Sequence, residues 1–215
     1  MAIEVYLEIG AKHCFAAAVE FPGWARRGKG DDGALEELDN YRERYRAVAE
    51  RAGIKVPKTD LAVVERLPER KGDTDFGVLG ATPQVDTRPT ASAAAKRLAA
   101  LVQAVWDELD EVRATVTEEL RKGPRGGGRD REKMFAHVIG AEAGYGRMIG
   151  IRHKQPDNDD TAAITAMRAD LLAALSRASD GTPLRDNGWT QRYAARRIAW
   201  HALDHAWEMQ DKTLG

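Results

Sequence analysis

Residues 91–120 have the sequence ASAAAKRLAALVQAVWDELDEVRATVTEEL, and this stretch decides the fold class. Its large apolar residues recur every three or four positions from Leu98 to Leu120, which is the period of a helix with one buried face. Gly123 and Pro124 follow and end the helix, because proline cannot continue it. A helix this long needs partner helices to cover its apolar stripe.

Three more amphipathic segments follow, at roughly 130–149, 160–178 and 190–211, with connections of modest length. Each repeats apolar residues at helical spacing, and glycine or proline lies near the ends. Four such helices predict an antiparallel four-helix bundle.

The chain before the bundle has a different pattern. Residues 3–9 alternate apolar and polar side chains, and an apolar run over 14–21 ends at a Pro-Gly turn, which predicts a hairpin. One helix is expected between about 34 and 52, and a third strand over 60–67. The predicted fold class is therefore α+β and mainly α: a small β-β-α-β module over 1–80, a linker to about 90, and the bundle over 91–215.

Composition excludes several classes of protein. The 215 residues carry a formal net charge of −1, which argues against a nucleic-acid binder that works through a global basic field. The single cysteine, Cys14, allows no intramolecular disulfide. No apolar run suits a membrane span, and the N-terminus lacks the pattern of a signal peptide. We expect a cytoplasmic protein without membrane partners.

Three of the five histidines fall on predicted inward faces of helices. His201 and His205 are four residues apart, so both rings lie on one side of the last helix. His137 lies on the apolar stripe of the second helix, and neighbouring helices would bring it to the same point. Three imidazoles can hold one divalent metal ion with a position left open. A histidine pair at this spacing also arises by chance, and buried histidines are often only hydrogen-bonded.

Carboxylates and tryptophans surround these histidines in the sequence. Glu142, Asp204 and Glu208 could accept the second ring N–H of a histidine and fix its tautomer. Trp200 and Trp207 could wall a pocket, although aromatic residues at such spacing are commonly core. Arg196 and Arg197 fit a solvated face, and an inward Arg197 could pair with a substrate anion.

Two segments resemble a known family. Residues 134–142 (MFAHVIGAE) and 197–208 (RIAWHALDHAWE) resemble the DinB-like superfamily, which includes mycothiol-dependent maleylpyruvate isomerase. The resemblance covers roughly 92–215 and implies a bundle whose His137, His201 and His205 bind a divalent metal, commonly zinc or nickel. It also implies an external low-molecular-weight thiol such as mycothiol and a small-molecule substrate.

The N-terminal module has a weaker resemblance. Residues 15–24 (FAAAVEFPGW), followed by a Gly/Asp loop and 34–38 (ALEEL), resemble the HicB-like β-β-α-β module. This module is common in antitoxins, but no separate DNA-binding segment is evident beside it. We therefore carry over the fold and not the function. An interaction surface or one wall of the metal pocket is the role expected for it.

A basic, glycine-rich run over 121–131 precedes the second helix of the bundle. Arg125, Gly127 and Arg129 form a candidate anion site, because backbone N–H groups and arginines at a helix start can hold an anion. The alternative is an interhelical loop whose charges serve solubility. This alternative is favoured because the run lacks the Gly-Lys-Ser/Thr ending of a P-loop.

The best-supported function is a metal-dependent enzyme, a low-molecular-weight-thiol-dependent transferase or isomerase. The alternative is a non-enzymatic binding or regulatory protein that uses the bundle as a scaffold. A homodimer is left open, because the sequence selects no surface for pairing.

Overall fold

A computed structural model describes residues 2–123 and 128–214, and within them the chain is mixed α+β and mainly helical. The strands are β1 (Ile3–Ile9), β2 (Cys14–Ala18), β3 (Ala25–Gly28) and β4 (Leu61–Pro68). The helices are α1 (Gly30–Asn40), α2 (Arg42–Arg51), α3 (Asp73–Phe76), α4 (Ser92–Thr115), α5 (Arg131–Met148), α6 (Thr161–Leu175) and α7 (Gln191–Lys212), with a 3-10 turn over Gln84–Thr87.

The four strands form one sheet in the order β3-β2-β1-β4. β1 and β2 make the predicted antiparallel hairpin, and β4 pairs with β1 in parallel. β3 was not expected, because its sequence ARRG carries no apolar alternation. It pairs with β2 because the chain turns back at Gly23, which has a φ of +95°. A Cβ atom on residue 23 would lie 3.3 Å from the Leu203 side chain of α7, so glycine also permits this close approach.

The helix expected near 34–52 is divided into α1 and α2 at Tyr41. The division leaves Leu38 and Tyr45 fully buried. The Tyr45 hydroxyl donates to the carbonyl of Pro22 at 2.9 Å, and its ring stacks on Trp24 at 5.4 Å. These contacts hold the two helices against the hairpin turn, an effect of packing that helical periodicity does not show.

The segment between β4 and α4, residues 69–91, is docked on the rest of the protein, although a linker was expected from about 81 to 90. The buried Glu8 of β1 accepts hydrogen bonds from the Thr74 hydroxyl at 2.7 Å and from the backbone N–H of Ala81 at 2.9 Å. The 3-10 turn supplies Asp86, which is fully buried and forms an ion pair with Arg196 of α7. The expectation that Arg196 lies on a solvated face is therefore wrong, because a buried carboxylate compensates its charge.

The ends of the four long helices show how they run. Arg121, just after α4, donates its backbone N–H to the carbonyl of Lys212 at the end of α7, so these two helices run parallel, a departure from the predicted antiparallel bundle. Trp189, just before α7, donates to Met148 at the end of α5, so α5 and α7 are antiparallel. α4 and α5 are also antiparallel, because Leu120 approaches Asp130 at the start of α5.

Both parts of the chain contribute to one continuous apolar core. It runs from β1 and β2 through α2 to the inward faces of α4, α5, α6 and α7. A smaller apolar cluster joins Phe15 and Tyr6 of the sheet to Trp200 of α7. The sheet therefore lies directly against the helix that carries the histidine pair. Among the described residues, no helix combines the length and the apolar character needed to cross a membrane.

Candidate metal centre

Three histidines from two helices meet within the bundle. His201 and His205 lie one turn apart on α7, and His137 faces them from α5. Each offers one ring nitrogen, and these three atoms lie within 4.8 Å of one another. Nε2 of His137 and Nε2 of His201 are 3.2 Å apart, and the three ring centroids are separated by 4.7 to 5.1 Å. The structure thus brings together the three residues that the sequence selected.

The surroundings of His137 and His201 favour neutral imidazoles. Burial lowers the pKa of His137 to about 4, and the positive charge of Arg129 acts in the same direction. Burial also holds the pKa of His201 well below its ordinary value, with further contributions from the other two rings. A metal ion needs deprotonated ring nitrogens as ligands. At neutral pH these two rings therefore offer lone pairs without first having to release protons.

Glu208 lies where a carboxylate was expected. Its Oε2 is 2.9 Å from Nδ1 of His205, and Lys212 holds its other oxygen. The bond to His205 is the main reason that the pKa of Glu208 falls to about 2. An ionised carboxylate on Nδ1 keeps the proton there and leaves Nε2 of His205 as the free lone pair.

Asp204 has a different partner from the one expected. Its carboxylate forms an ion pair with Arg26 of β3 at 3.0 Å rather than a hydrogen bond with a histidine. Arg26 in turn lies over the ring of Tyr41 at 3.9 Å. The edge of the N-terminal sheet is therefore fastened to α7 between the two histidines. This contact gives the N-terminal module a position at the wall of the site.

Glu142 lies away from the triad. Its carboxylate is buried in the bundle and accepts from Nε of Arg168 at 3.1 Å and from Nη2 at 3.3 Å. Five residues after His137 correspond to a rotation of about 140° around the helix, so the two side chains leave α5 on different faces. The expectation that Glu142 supports the histidines rested on proximity in sequence, which the helical rotation overrides.

The two tryptophans pack into the core. Trp200 is 3% exposed and meets Phe15 of β2 edge-on at 5.8 Å, while Trp207 is 1% exposed and packs against Tyr41 at 5.1 Å. Trp200 precedes His201 by one position, and Trp207 follows His205 by two. These offsets correspond to rotations of about 100° and 200° around the helix, away from the face that carries the histidines. Their role at the site is to hold α7 against the N-terminal module.

Tyr145 is the neighbour that the sequence did not select as functional. Its ring meets His201 edge-on at 5.7 Å and packs against Trp189 at 5.2 Å. Arg197 lies on the same side, with its guanidinium 5.5 Å from the Tyr145 ring centre. Tyr145 follows His137 by eight residues, slightly more than two turns, and this spacing could have identified it.

The remaining candidate residues are those of the anion site, His153 and Cys14. Arg125 and Gly127 of the candidate anion site lie outside the described residues, while Arg129 is exposed just before α5. His153 pairs with Asp170 at 2.8 Å, away from the triad. Cys14 is 1% exposed in β2, and burial raises the pKa of its thiol to about 12.

A donor set of three imidazole nitrogens and no carboxylate oxygen fits a borderline metal such as zinc or nickel better than calcium or magnesium, which prefer oxygen. The donor set leaves room for a fourth, exchangeable ligand, as catalytic zinc sites do. No family model, curated protein or solved structure matches this chain.

Proposed function

We propose that this chain is a metal-dependent enzyme that holds a divalent ion, zinc or nickel, on His137, His201 and His205. The convergence of three imidazoles from α5 and α7, with one nitrogen of each within 4.8 Å of the others, is the observation that carries this proposal. The Nε2 atoms of His137 and His201 are 3.2 Å apart and can share one proton at most, whereas a bound ion would engage the lone pairs of both rings. The motif resemblance to the DinB-like superfamily supports the same assignment.

The reaction proposed is a transfer or isomerisation that uses a low-molecular-weight thiol. When bound, the metal would lower the pKa of a thiol or water at the open position, which makes either a better nucleophile at neutral pH. His137, His201 and His205 hold the ion, and Glu208 keeps the proton of His205 on Nδ1. Trp200 and Trp207 exclude water behind α7.

The sulfur in this scheme comes from outside the protein. Cys14 is the one cysteine of the chain, and it is buried in β2 with its pKa raised to about 12. Such a thiol is almost entirely protonated at neutral pH and has no access to a substrate. A small cytoplasmic thiol such as mycothiol is the kind of co-substrate that we propose.

Metal content tests the site directly. Wild-type protein without a histidine tag should contain close to one equivalent of zinc or nickel after purification or reconstitution. The His201→Ala/His205→Ala variant should contain essentially none, because a single imidazole remains. His153→Ala is the matched control and should keep the wild-type content, since His153 lies away from the triad. Equal metal content in all three proteins would contradict the proposal.

Thiol consumption separates the enzyme from a binding or regulatory protein. The metal-loaded protein is incubated with a small thiol and a panel of electrophiles, and the loss of free thiol is followed. Consumption that requires metal and disappears in the double histidine variant supports the enzyme. Normal metal loading without turnover on any pair would favour the non-enzymatic alternative.

A further inference from the structure

Arg197 occupies a position from which it can reach a molecule bound at the triad. It lies four residues before His201, one turn earlier on the same face of α7 and about 6 Å along the axis. Its guanidinium is 4.9 Å from the ring centre of Trp200 and 5.5 Å from that of Tyr145. Because Tyr145 also touches His201 edge-on, the arginine and the triad share one aromatic wall.

Arg197 differs from the neighbouring arginines of α7 in its partners. Arg192 forms an ion pair with Glu20, and Arg196 forms one with Asp86. Arg197 donates Nη1 to the carbonyl of Leu79 at 2.6 Å, and within residues 2–123 and 128–214 no carboxylate lies at ion-pair distance from it. A half-buried guanidinium without a counter-ion is uncommon unless it serves a ligand.

The buried carboxylate of Glu8 is held by other donors. Burial raises its pKa, and the charge of Arg197 acts in the opposite direction with a smaller effect. Its oxygens accept from Thr74 and from the backbone of Gly80 and Ala81. The carbonyl of Leu79 meanwhile fixes one edge of the Arg197 guanidinium from the N-terminal part of the chain.

We propose that Arg197 binds a carboxylate of the substrate or of the thiol and orients that molecule towards the triad. This inference rests on the proposed function and adds the chemical class of the ligand. A planar guanidinium matches a carboxylate through two parallel hydrogen bonds. The rings of Tyr145 and Trp200, centred 5.5 and 4.9 Å from its guanidinium, are uncharged, which suits a single negative charge better than a phosphate dianion.

A pair of small thiols tests this inference. 3-Mercaptopropionate and its neutral amide, 3-mercaptopropionamide, are titrated into zinc-loaded protein by calorimetry. The wild type should bind the carboxylate about tenfold or more tightly than the amide, as expected for charge-assisted hydrogen bonds. Arg197→Gln should lose this preference while it binds the amide as the wild type does. Arg185→Gln is the control, because Arg185 bonds backbone carbonyls, as Arg197 bonds that of Leu79, but it is exposed and lies outside the site.

A second titration does not depend on metal. Propionate is added to the metal-free protein, and tryptophan fluorescence is followed because Trp200 lies beside Arg197. A saturable change that is lost in Arg197→Gln supports the carboxylate site. This readout keeps the two proposals distinct: zinc binding can fail while propionate still binds, and the reverse can also occur.

Three results would overturn the inference. One is an unchanged preference for the carboxylate in Arg197→Gln, and another is inorganic phosphate binding as tightly as propionate with the same dependence on Arg197. If Arg197→Gln also loses the amide, the propionate titration of the metal-free protein decides, because it requires neither the thiol nor the metal. A saturable fluorescence change in Arg197→Gln equal to that of the wild type is the third contradicting result.

Discussion

Helix α5 contributes to two polar clusters within the same bundle. On one face, His137 meets His201 and His205. On another, Glu142 forms a two-point ion pair with Arg168 of α6, and Asp110 of α4 binds the same guanidinium at 2.8 Å. The second cluster pairs one guanidinium with two carboxylates, whereas the first brings three imidazoles together with no opposite charge between them. We therefore expect the ion-pair cluster to stabilise the fold and, under the proposed function, the triad to hold a ligand.

The largest effect expected from this comparison is on stability at the ion pair. Arg168→Leu should lower the free energy of unfolding by about 3–5 kcal/mol, because it leaves the buried Glu142 charge without a partner. Denaturant unfolding measures this loss. The paired change Arg168→Met/Glu142→Leu should recover most of it. A loss below about 1 kcal/mol in the single variant would contradict a structural role for this cluster.

A smaller effect is expected at the triad from Glu208→Gln. The change removes the carboxylate that fixes the tautomer of His205, so zinc affinity should fall about 10- to 100-fold. Competition with a chromophoric chelator measures the affinity. Glu118→Gln, an exposed change in the loop after α4, is the control and should leave the affinity unchanged. Wild-type affinity in Glu208→Gln would show that His205 needs no partner.

The free energy of unfolding of the metal-free protein should depend on pH through the triad. The pKa of His137 is about 4 in the fold and near 6.5 in the unfolded chain, so below about pH 6.5 the unfolded chain binds the proton first. The contribution of His137 to stability should therefore be constant above pH 6.5 and fall from there towards pH 4.

The size of this fall should be at most about 1–2 kcal/mol between pH 7 and pH 5, because the His137 ring is only half buried. His137→Ala should flatten the dependence, which chemical unfolding at several pH values measures. An equal slope in wild type and variant would mean that the triad is not desolvated.

The smallest effect concerns the buried thiol. Cys14 in the native protein should react with a thiol-specific reagent at pH 8 much more slowly than in the unfolded chain, because it is 1% exposed and its pKa is about 12. The release of chromophore by Ellman's reagent follows the rate. Rapid reaction of Cys14 in the native protein would contradict the proposal that the sulfur comes from outside the protein.

The sequence predicted those features that depend on spacing along a single element. The triad, the β1–β2 hairpin and the four long helices all follow from periods of two or of three to four residues. The same rule explains why Glu142 lies away from the triad, because it is not at the three- or four-residue spacing from His137 that shares a helix face. Glu208, three residues after His205, was selected correctly for that reason.

Features that depend on contacts between distant segments were not predictable. β3 exists because it pairs with β2 and lies against α7, although its own sequence is not typical of a strand. The segment between β4 and α4 is held by Glu8 and Arg196, from opposite ends of the chain. The orientation of Arg197 likewise depends on Leu79, more than a hundred residues earlier.

X-ray absorption at the zinc edge of the reconstituted protein tests the central claim most directly. The structure predicts three imidazole nitrogens around one zinc ion at about 2.0–2.1 Å, together with one or more further light ligands. The imidazole signal should disappear in His201→Ala/His205→Ala and remain in His153→Ala. A first shell of sulfur, or of carboxylate and water oxygen without imidazole, would contradict the account.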